Sequence, residues 1–376
     1  MLPRPAALSC IPSSCETVLS PHYRRIREQL AANPKRWLIT GVAGFIGSNL
    51  LDALLGLGQE VVGLDDFSTG YRSNLEEVLA AHPDSADRFT LIEGDIRNVE
   101  SCEAACLGVD YVLHQAALAS VPRSIDDPAT AHSVNVDGFF NVLLAAKKSG
   151  VERFVYASSS AVYGDSPEQP QTESRTGRPL SPYAAQKAIN ETYATAFQMA
   201  YGLETIGLRY YNIFGPRQDP DGAYAAVIPR WIANLLRDEP CVIYGDGETT
   251  RDFCFVANVV QANVLAATTD NPDATGQAYN IACSRSVTLN QLFTLITEEL
   301  ALLGEAGTIS VPVYEPFRTG DIRHSSGSID RARRLLGYAP SYEVRDGLAE
   351  ALPWYLSQRG ELLAQAEAHI PRTARA

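Results

Sequence analysis

The stretch "RWLITGVAGFIGSNL", from Arg36 to Leu50, constrains the fold more than any other part of the sequence. An apolar run of strand type passes through Gly41, Gly44 and Gly47 directly into a segment of helical patterning. A turn with so little side-chain bulk lets a helix pack closely against the strand that precedes it. A strand followed by such a helix continues into a neighbouring parallel strand, so the chain is committed to a layered sheet.

The same alternation continues downstream. "EVVGLD", "FTLIEGD", "VDYVLHQAA", "RFVYASSS" and "ETIGLRYYN" are short apolar runs, and segments such as 48–57 and 132–149 between them carry helical patterning. The expected class is α/β, with a doubly wound, mostly parallel Rossmann sheet and a smaller irregular lobe. Beyond about residue 205 the regularity weakens at the Pro/Gly-rich "NIFGPRQDPDGAY". There "PCVIYGDG", "AYNIACS" and "TISVPVY" read as short strands and 289–303 as a helix. The expected division is an extension over 1–35, a Rossmann domain over 36–205 and, over 206–376, mainly a substrate-facing lobe that can exchange elements with it.

Of the 376 residues, 45% are hydrophobic and 20% charged, enough apolar material for a large core in a soluble chain. A net charge of −13 argues against bulk attraction to nucleic acid or an anionic membrane, and any phosphate site must be a local focus of positive charge. The seven cysteines include no C-x-x-C pair and, with six scattered histidines, supply neither metal-ligand spacing nor a disulfide framework. A reducing, cytoplasmic compartment is expected. No apolar run approaches the ~20 residues of a membrane span. Prolines interrupt the weak apolar stretch of "MLPRPAALSCIPSSCETVLSPHYRR", which reads as an extension rather than a signal peptide.

The G-x-x-G-x-x-G spacing is a variant of the dinucleotide fingerprint, in which backbone and helix N-terminus approach a pyrophosphate. Asp65 ends the next strand, placed to accept ribose hydroxyls, and Asp66 beside it would repel a 2′-phosphate, so NAD is expected over NADP. Ser158, Ser159 and Ser160 lie at the carboxyl end of another strand, where open α/β sheets bind ligands. In "SPYAAQK", Tyr183 precedes Lys187 by one helical turn, on one face. A free phenol has a pKa near ~10, but an adjacent ammonium and a cationic nicotinamide both favour its phenolate. Lys187 can also donate to the nicotinamide ribose. Alone, such a pair is more often a half-buried tyrosine with a solvated lysine; with the glycine loop and the strand-end serines in the same chain, hydride chemistry beside a hydroxyl is the better reading.

These motifs resemble the extended short-chain dehydrogenase/reductase family, with its TGxxGxxG and YxxxK signatures, over nearly the whole chain after about residue 36. "GDIRN", "HQAALASVPRS", "SSSAVYGD", "RYYNIFGPRQ" and "RDFCFVANV" are similar to its nucleotide-sugar epimerase branch. The resemblance implies NAD held at Gly41, Gly44, Phe45, Ile46 and Gly47 by its pyrophosphate and at Asp65 and Asp66 by its ribose. It further implies Asp95 and Ile96 at the adenine, Gln115, Ala116 and Ala117 along the cofactor, and Asn135, Ser158, Tyr183, Lys187 and Tyr211 nearby. Ser159, Tyr183 and Lys187 are implied as the catalytic set. A UDP-sugar is implied as substrate, met by Ser120, Ser159, Ser160, Tyr183, Asn212, Ala226, Arg230 and Tyr244. For its diphosphate, "TTRDF" and "PFRTGDIRHS" supply Arg251, Arg318 and Arg323, with Asp321 beside them.

The related 4,6-dehydratases carry Thr-Asp-Glu where this chain has Ser159, Ser160 and Ala161, so the acid/base pair for loss of water is missing. Ser325 aligns with a gate that is tyrosine in epimerases restricted to non-acetylated hexoses, and a serine leaves room for a 2-acetamido group. The activity implied is interconversion of UDP-N-acetylglucosamine and UDP-N-acetylgalactosamine through a 4-keto sugar, in polysaccharide biosynthesis. Another UDP-sugar 4-epimerase, or a non-catalytic NAD-binding module, is the alternative. A homodimer through helices near 132–149 and 183–200 is also implied.

Overall fold

Parallel strands need a long crossover between them, and the first half of this chain supplies a helix each time. The computed structural model describes residues 19–221, 225–305, 307, 311–317 and 322–360. Helix α1 (Pro21–Ala32) is followed by β1 (Arg36–Thr40), α2 (Phe45–Gly56), β2 (Glu60–Asp65), α3 (Arg72–Ala81), β3 (Phe89–Glu93), α4 (Val99–Cys106) and β4 (Tyr111–His114). Then come α5 (Val121–Asp126), α6 (Pro128–His132), α7 (Phe139–Ser149), β5 (Arg153–Ser159), α8 (Pro182–Tyr201) and β6 (Thr205–Tyr210).

The second half contributes shorter elements: β7 (Ile213–Phe214), α9 (Val227–Leu236), β8 (Val242–Tyr244), β9 (Thr250–Arg251), β10 (Cys254–Phe255), α10 (Val256–Thr268) and β11 (Gln277–Ile281). The described residues end with β12 (Val287–Thr288), α11 (Leu289–Leu302), β13 (Val313–Glu315), β14 (His324–Ser325), α12 (Asp330–Leu336) and α13 (Val344–Ser357).

Seven strands form the central parallel sheet, in the order β11-β6-β5-β4-β1-β2-β3. Helices cover both faces, so Leu38, Ile39, Val112, Phe154 and Leu208 are wholly buried, and the strand sequences read as continuous apolar runs. The order reverses between β1 and β4, and their outgoing loops part there to leave a crevice. The halves share this sheet: β11 pairs with β6, and α10, buried along most of its length, packs against it. The expected extension over 1–35 contains α1, capped by the Ser20 hydroxyl and inserting Tyr23 and Leu30 into the main core. Residues 1–18 lie outside the described residues.

A second core, around Trp231, Phe255, Phe293, Leu348 and Tyr355, supports the smaller lobe. In it β9 lies between antiparallel β12 and parallel β14. The lobe is bolted to the Rossmann layer by Arg217. This buried guanidinium donates to Ser48 Oγ at 3.1 Å, Asn49 Oδ1 at 3.0 Å and Asp52 Oδ2 at 3.0 Å on α2, and to Glu77 Oε1 at 2.9 Å on α3. Trp354 on α13 donates to the other Glu77 oxygen at 2.9 Å. Removing one partner from such a pair strands a buried charge. Arg217→Leu is expected to lower the free energy of unfolding by about 3–5 kcal/mol, read by denaturant titration.

Candidate active site

Two glycines are required by space alone. Gly41 sits at φ +69°, and a Cβ there would come within 2.8 Å of the Ala116 nitrogen; a Cβ on Gly47 would come within 2.0 Å of the Gly41 carbonyl oxygen. The absence of both lets α2 start directly beneath the loop. No side chain caps the N-terminus of α2, which leaves its first N–H groups for an external acceptor.

The crevice above is a cavity of about 560 Å3. Gly41, Gly44, Phe45, Ile46 and Gly47 line it, as do Asp65 and Asp66 from the end of β2 and Asp95 and Ile96 after β3. Gln115, Ala116 and Ala117 follow β4 along its wall, and Ser120 and Ala226 also face it. The Asp65 carboxylate accepts from the Ala43 nitrogen at 2.8 Å and the Phe67 nitrogen at 2.9 Å. Burial pushes the Asp65 carboxyl up from its ordinary range and those two N–H groups pull it back. Each oxygen keeps a lone pair for a ribose hydroxyl.

Other expected residues lie behind the wall. Asn135, in a π turn over Ser133–Gly138, accepts from the Leu118 nitrogen at 2.8 Å and donates to the Leu118 carbonyl and Gln186, so it holds the wall without lining the cavity. Ser158 is buried and gives its hydroxyl to Glu191 at 2.6 Å. Tyr211, expected beside the cofactor, is fully buried with its phenol on Gln171 at 2.9 Å. Its neighbour Tyr210 reaches the cavity wall instead, donating to Gln115 Oε1 at 3.1 Å. Successive residues leaving a strand point to opposite sides, and Tyr210 is the one in register with Ser159.

Residues not anticipated also line the cavity. Ser68, Thr69 and Gly70 follow Asp66 after one residue, Phe67, and a Cβ on Gly70 would come within 2.8 Å of the Ala43 backbone. The turn-forming run "FSTG" after the strand-end aspartates was their signal. Gln218 and Asp219 arrive from the second half, and Asp219 accepts from the Tyr71 hydroxyl at 2.7 Å. Nothing local in the sequence marks that meeting.

The catalytic candidates meet where β5 ends against α8. Ser159 turns the chain by accepting from the Ala161 nitrogen at 3.1 Å, and Ser160 follows it in a half-buried 3-10 turn. Ser181 caps α8 with Pro182 at its first position, and the Tyr183 nitrogen donates to Ser124 Oγ at 3.1 Å, which fixes the first turn. Lys187 donates from Nζ to the Ala157 carbonyl at 2.8 Å, and its ammonium lies 5.8 Å from the Tyr183 ring centroid. Burial pushes the Tyr183 phenol up to about 12, opposed by a hydrogen bond with Ser159. Burial pushes the Lys187 ammonium down to about 8, opposed by Glu191.

The substrate candidates gather less tightly. Arg251 and Ser325 are register partners on β9 and β14, and Arg251 donates to the Thr250 carbonyl at 2.8 Å and the Arg323 carbonyl at 3.3 Å. Arg323 pairs with Asp246 at 2.5 Å. Asn212, at φ +36°, donates to the Asp252 carbonyl at 3.0 Å. Arg230 is exposed on α9 and Tyr244 ends β8 half-buried. Arg318 and Asp321 lie outside the described residues.

The profile of the NAD dependent epimerase/dehydratase family matches residues 37–282. The chain belongs to this family. It is an NAD-dependent nucleotide-sugar epimerase, and the side-chain-free cradle, the uncapped helix start and the Asp65 carboxylate fit NAD. A UDP-glucose 4-epimerase of Mycolicibacterium smegmatis is 37% identical over 322 residues, 85% of this chain and 98% of that protein. The structure of a UDP-N-acetylglucosamine 4-epimerase from Methanobrevibacter ruminantium, in complex with UDP-N-acetylmuramic acid, is 38% identical with a TM-score of 0.78, covering 86% of this chain and 99% of that one. A UDP-glucose 4-epimerase of Thermotoga maritima with UDP-glucose is 34% identical with a TM-score of 0.77, covering 86% and 99%.

For this epimerase, Gly47→Ala must push the loop off α2. The purified variant is expected to lose most of its bound NAD, measured after denaturing release, and about 10²-fold in turnover from the displaced cradle.

Proposed function

We propose that this epimerase inverts C4 of UDP-N-acetylglucosamine, interconverting it with UDP-N-acetylgalactosamine. Tyr183, as phenolate, takes the proton of the sugar 4-hydroxyl and returns it when the opposite face is reduced. Ser159, hydrogen-bonded to Tyr183, relays that proton or holds the sugar oxygen. Lys187 favours the phenolate by its charge. Bound NAD supplies the hydride acceptor and donor at C4. The sugar is a 4-ketone between the two transfers and turns about its diphosphate link, so the guanidiniums of Arg251, Arg318 and Arg323 must grip the diphosphate while the sugar is held loosely.

The observation that carries the reaction class is the meeting of Ser159, Tyr183 and Lys187 at the end of β5, with Ser160 and Ala161 where a dehydratase would need carboxyls. What favours the acetylated sugar is the small Ser325 beside Arg251, together with the similarity to a UDP-N-acetylglucosamine 4-epimerase. A plain UDP-hexose is the second reading, favoured by the similarity to two UDP-glucose 4-epimerases. The proposal includes a cytoplasmic homodimer joined through α7 and α8, with Tyr193, Met199 and Tyr201 exposed on α8. No helix among the described residues is long and apolar enough to cross a membrane.

Incubation with UDP-N-acetylglucosamine, followed by NMR of the C4 epimer, is expected to show inversion; none with the acetylated pair sinks the substrate assignment. Ser325→Tyr is expected to lower turnover of the acetylated sugar by about tenfold or more relative to UDP-glucose. Ser159→Ala removes a bond that favours the Tyr183 phenolate, so the pH at which activity rises is expected to move upward. An unshifted rising limb would assign Ser159 a purely structural part.

A further inference from the structure

Glu191 follows Lys187 on α8 by the same helical turn that separates Lys187 from Tyr183, so phenol, ammonium and carboxylate share one face. The reaction described above leaves Glu191 without a part, yet it is tied down from two strands. Ser158 Oγ donates to its Oε1 at 2.6 Å, Arg209 Nε to the same oxygen at 2.9 Å, and Arg209 Nη2 to Oε2 at 2.7 Å. Ser158 and Arg209 are register partners on β5 and β6, so the carboxylate bridges these strands from the helix above. Ser158 stands between Ala157, whose carbonyl takes the Lys187 ammonium, and Ser159, which meets Tyr183. Arg209 is fixed in turn, donating from Nη1 to the Tyr163 hydroxyl at 2.9 Å and the Glu173 carbonyl at 3.3 Å.

We propose that Glu191 is a positioning residue for the epimerase reaction, held by Ser158 and Arg209 so that its carboxylate keeps the Lys187 ammonium protonated and aimed between the Ala157 carbonyl and the Tyr183 phenol. This rests on the reading of Tyr183 as base and Lys187 as its electrostatic partner. Lys187 is 2% exposed, and its charge has lost nearly all support from water. Glu191 is the charge that opposes this loss.

The other groups facing the cluster are His114 from β4, Tyr156 from β5, Tyr163 from the turn after it, Arg209 from β6 and Glu173 from the loop before α8. His114 is pushed down to about 3 by burial, Tyr156 and Tyr163 are raised by it, and Glu173 faces Arg331 at 3.7 Å. Neutralising Glu191 therefore leaves Lys187 with no counter-charge on its own helix, and Arg209 without its carboxylate partner.

The test is the pH dependence of kcat in the full-length, NAD-loaded enzyme. In Glu191→Gln the alkaline limb, where Lys187 loses its proton, is expected to move down by about one pH unit or more. Glu191→Asp, which keeps the charge, is expected to restore much of it. Should the unpaired Arg209 prevent Glu191→Gln from folding, the double variant Glu191→Gln/Arg209→Gln carries the same test without a stranded charge, and its limb is also expected below that of the wild type. A folded, NAD-loaded variant whose limb stays at the wild-type pH, whatever its kcat, overturns the proposal. Tyr183→Phe separates the two readings. If it turns over like the wild type, the assignment of the base has failed; if it is inactive while the Glu191→Gln limb stays at the wild-type pH, only the role of Glu191 has failed.

Discussion

The Lys187 ammonium, buried and donating to the Ala157 carbonyl at 2.8 Å, is the interaction on which the site depends. A charge in that position is costly unless its surroundings are fixed. It ties α8 to the exit of β5, and that contact sets where Tyr183 stands relative to Ser159. The neighbouring polar groups are arranged in the same way: Ser158, Glu191, Arg209 and Tyr163 form one connected, largely buried chain beneath the catalytic end of the sheet. Connected networks of this kind hold geometry because a displaced member leaves the next unsatisfied.

The second dependence is between the halves of the chain. The crevice comes from the reversal of strand order at β1 and β4, but Gln218, Asp219 and Ala226 close part of it from the other half. Their placement follows from Arg217, which inserts into the helix that carries the glycine loop. Cofactor cradle and smaller lobe are thereby referred to one rigid element, α2. The proposed reaction, in which a sugar turns over while its diphosphate stays put, would need that common frame.

Much of this was legible in the sequence. The strands from Arg36 to Tyr210, apart from the half-exposed edge strand β3, could be read because burial on both faces makes them continuous apolar runs, and Gly41, Asp65, Tyr183 and Lys187 because their chemistry needs those residue types at those spacings. What could not be read depends on direction or on distance through space. Tyr210 and Tyr211 are adjacent, and only the parity of the strand exit decides which faces Gln115. Asn135 was legible as polar but not as a brace for Leu118. The pairing of Glu191 with Arg209 joins a helix to a strand beyond the next turn, and neither residue signals it locally.

The central claim is that one carbon of the sugar is oxidised and reduced within a closed site, with Tyr183 moving only the hydroxyl proton. UDP-N-acetylglucosamine carrying deuterium at C4 tests it most directly. After equilibration in ordinary water, the account predicts that the deuterium is still on C4 in both epimers, seen by NMR and by unchanged mass. Loss of that deuterium to solvent, with inversion still occurring, would contradict it.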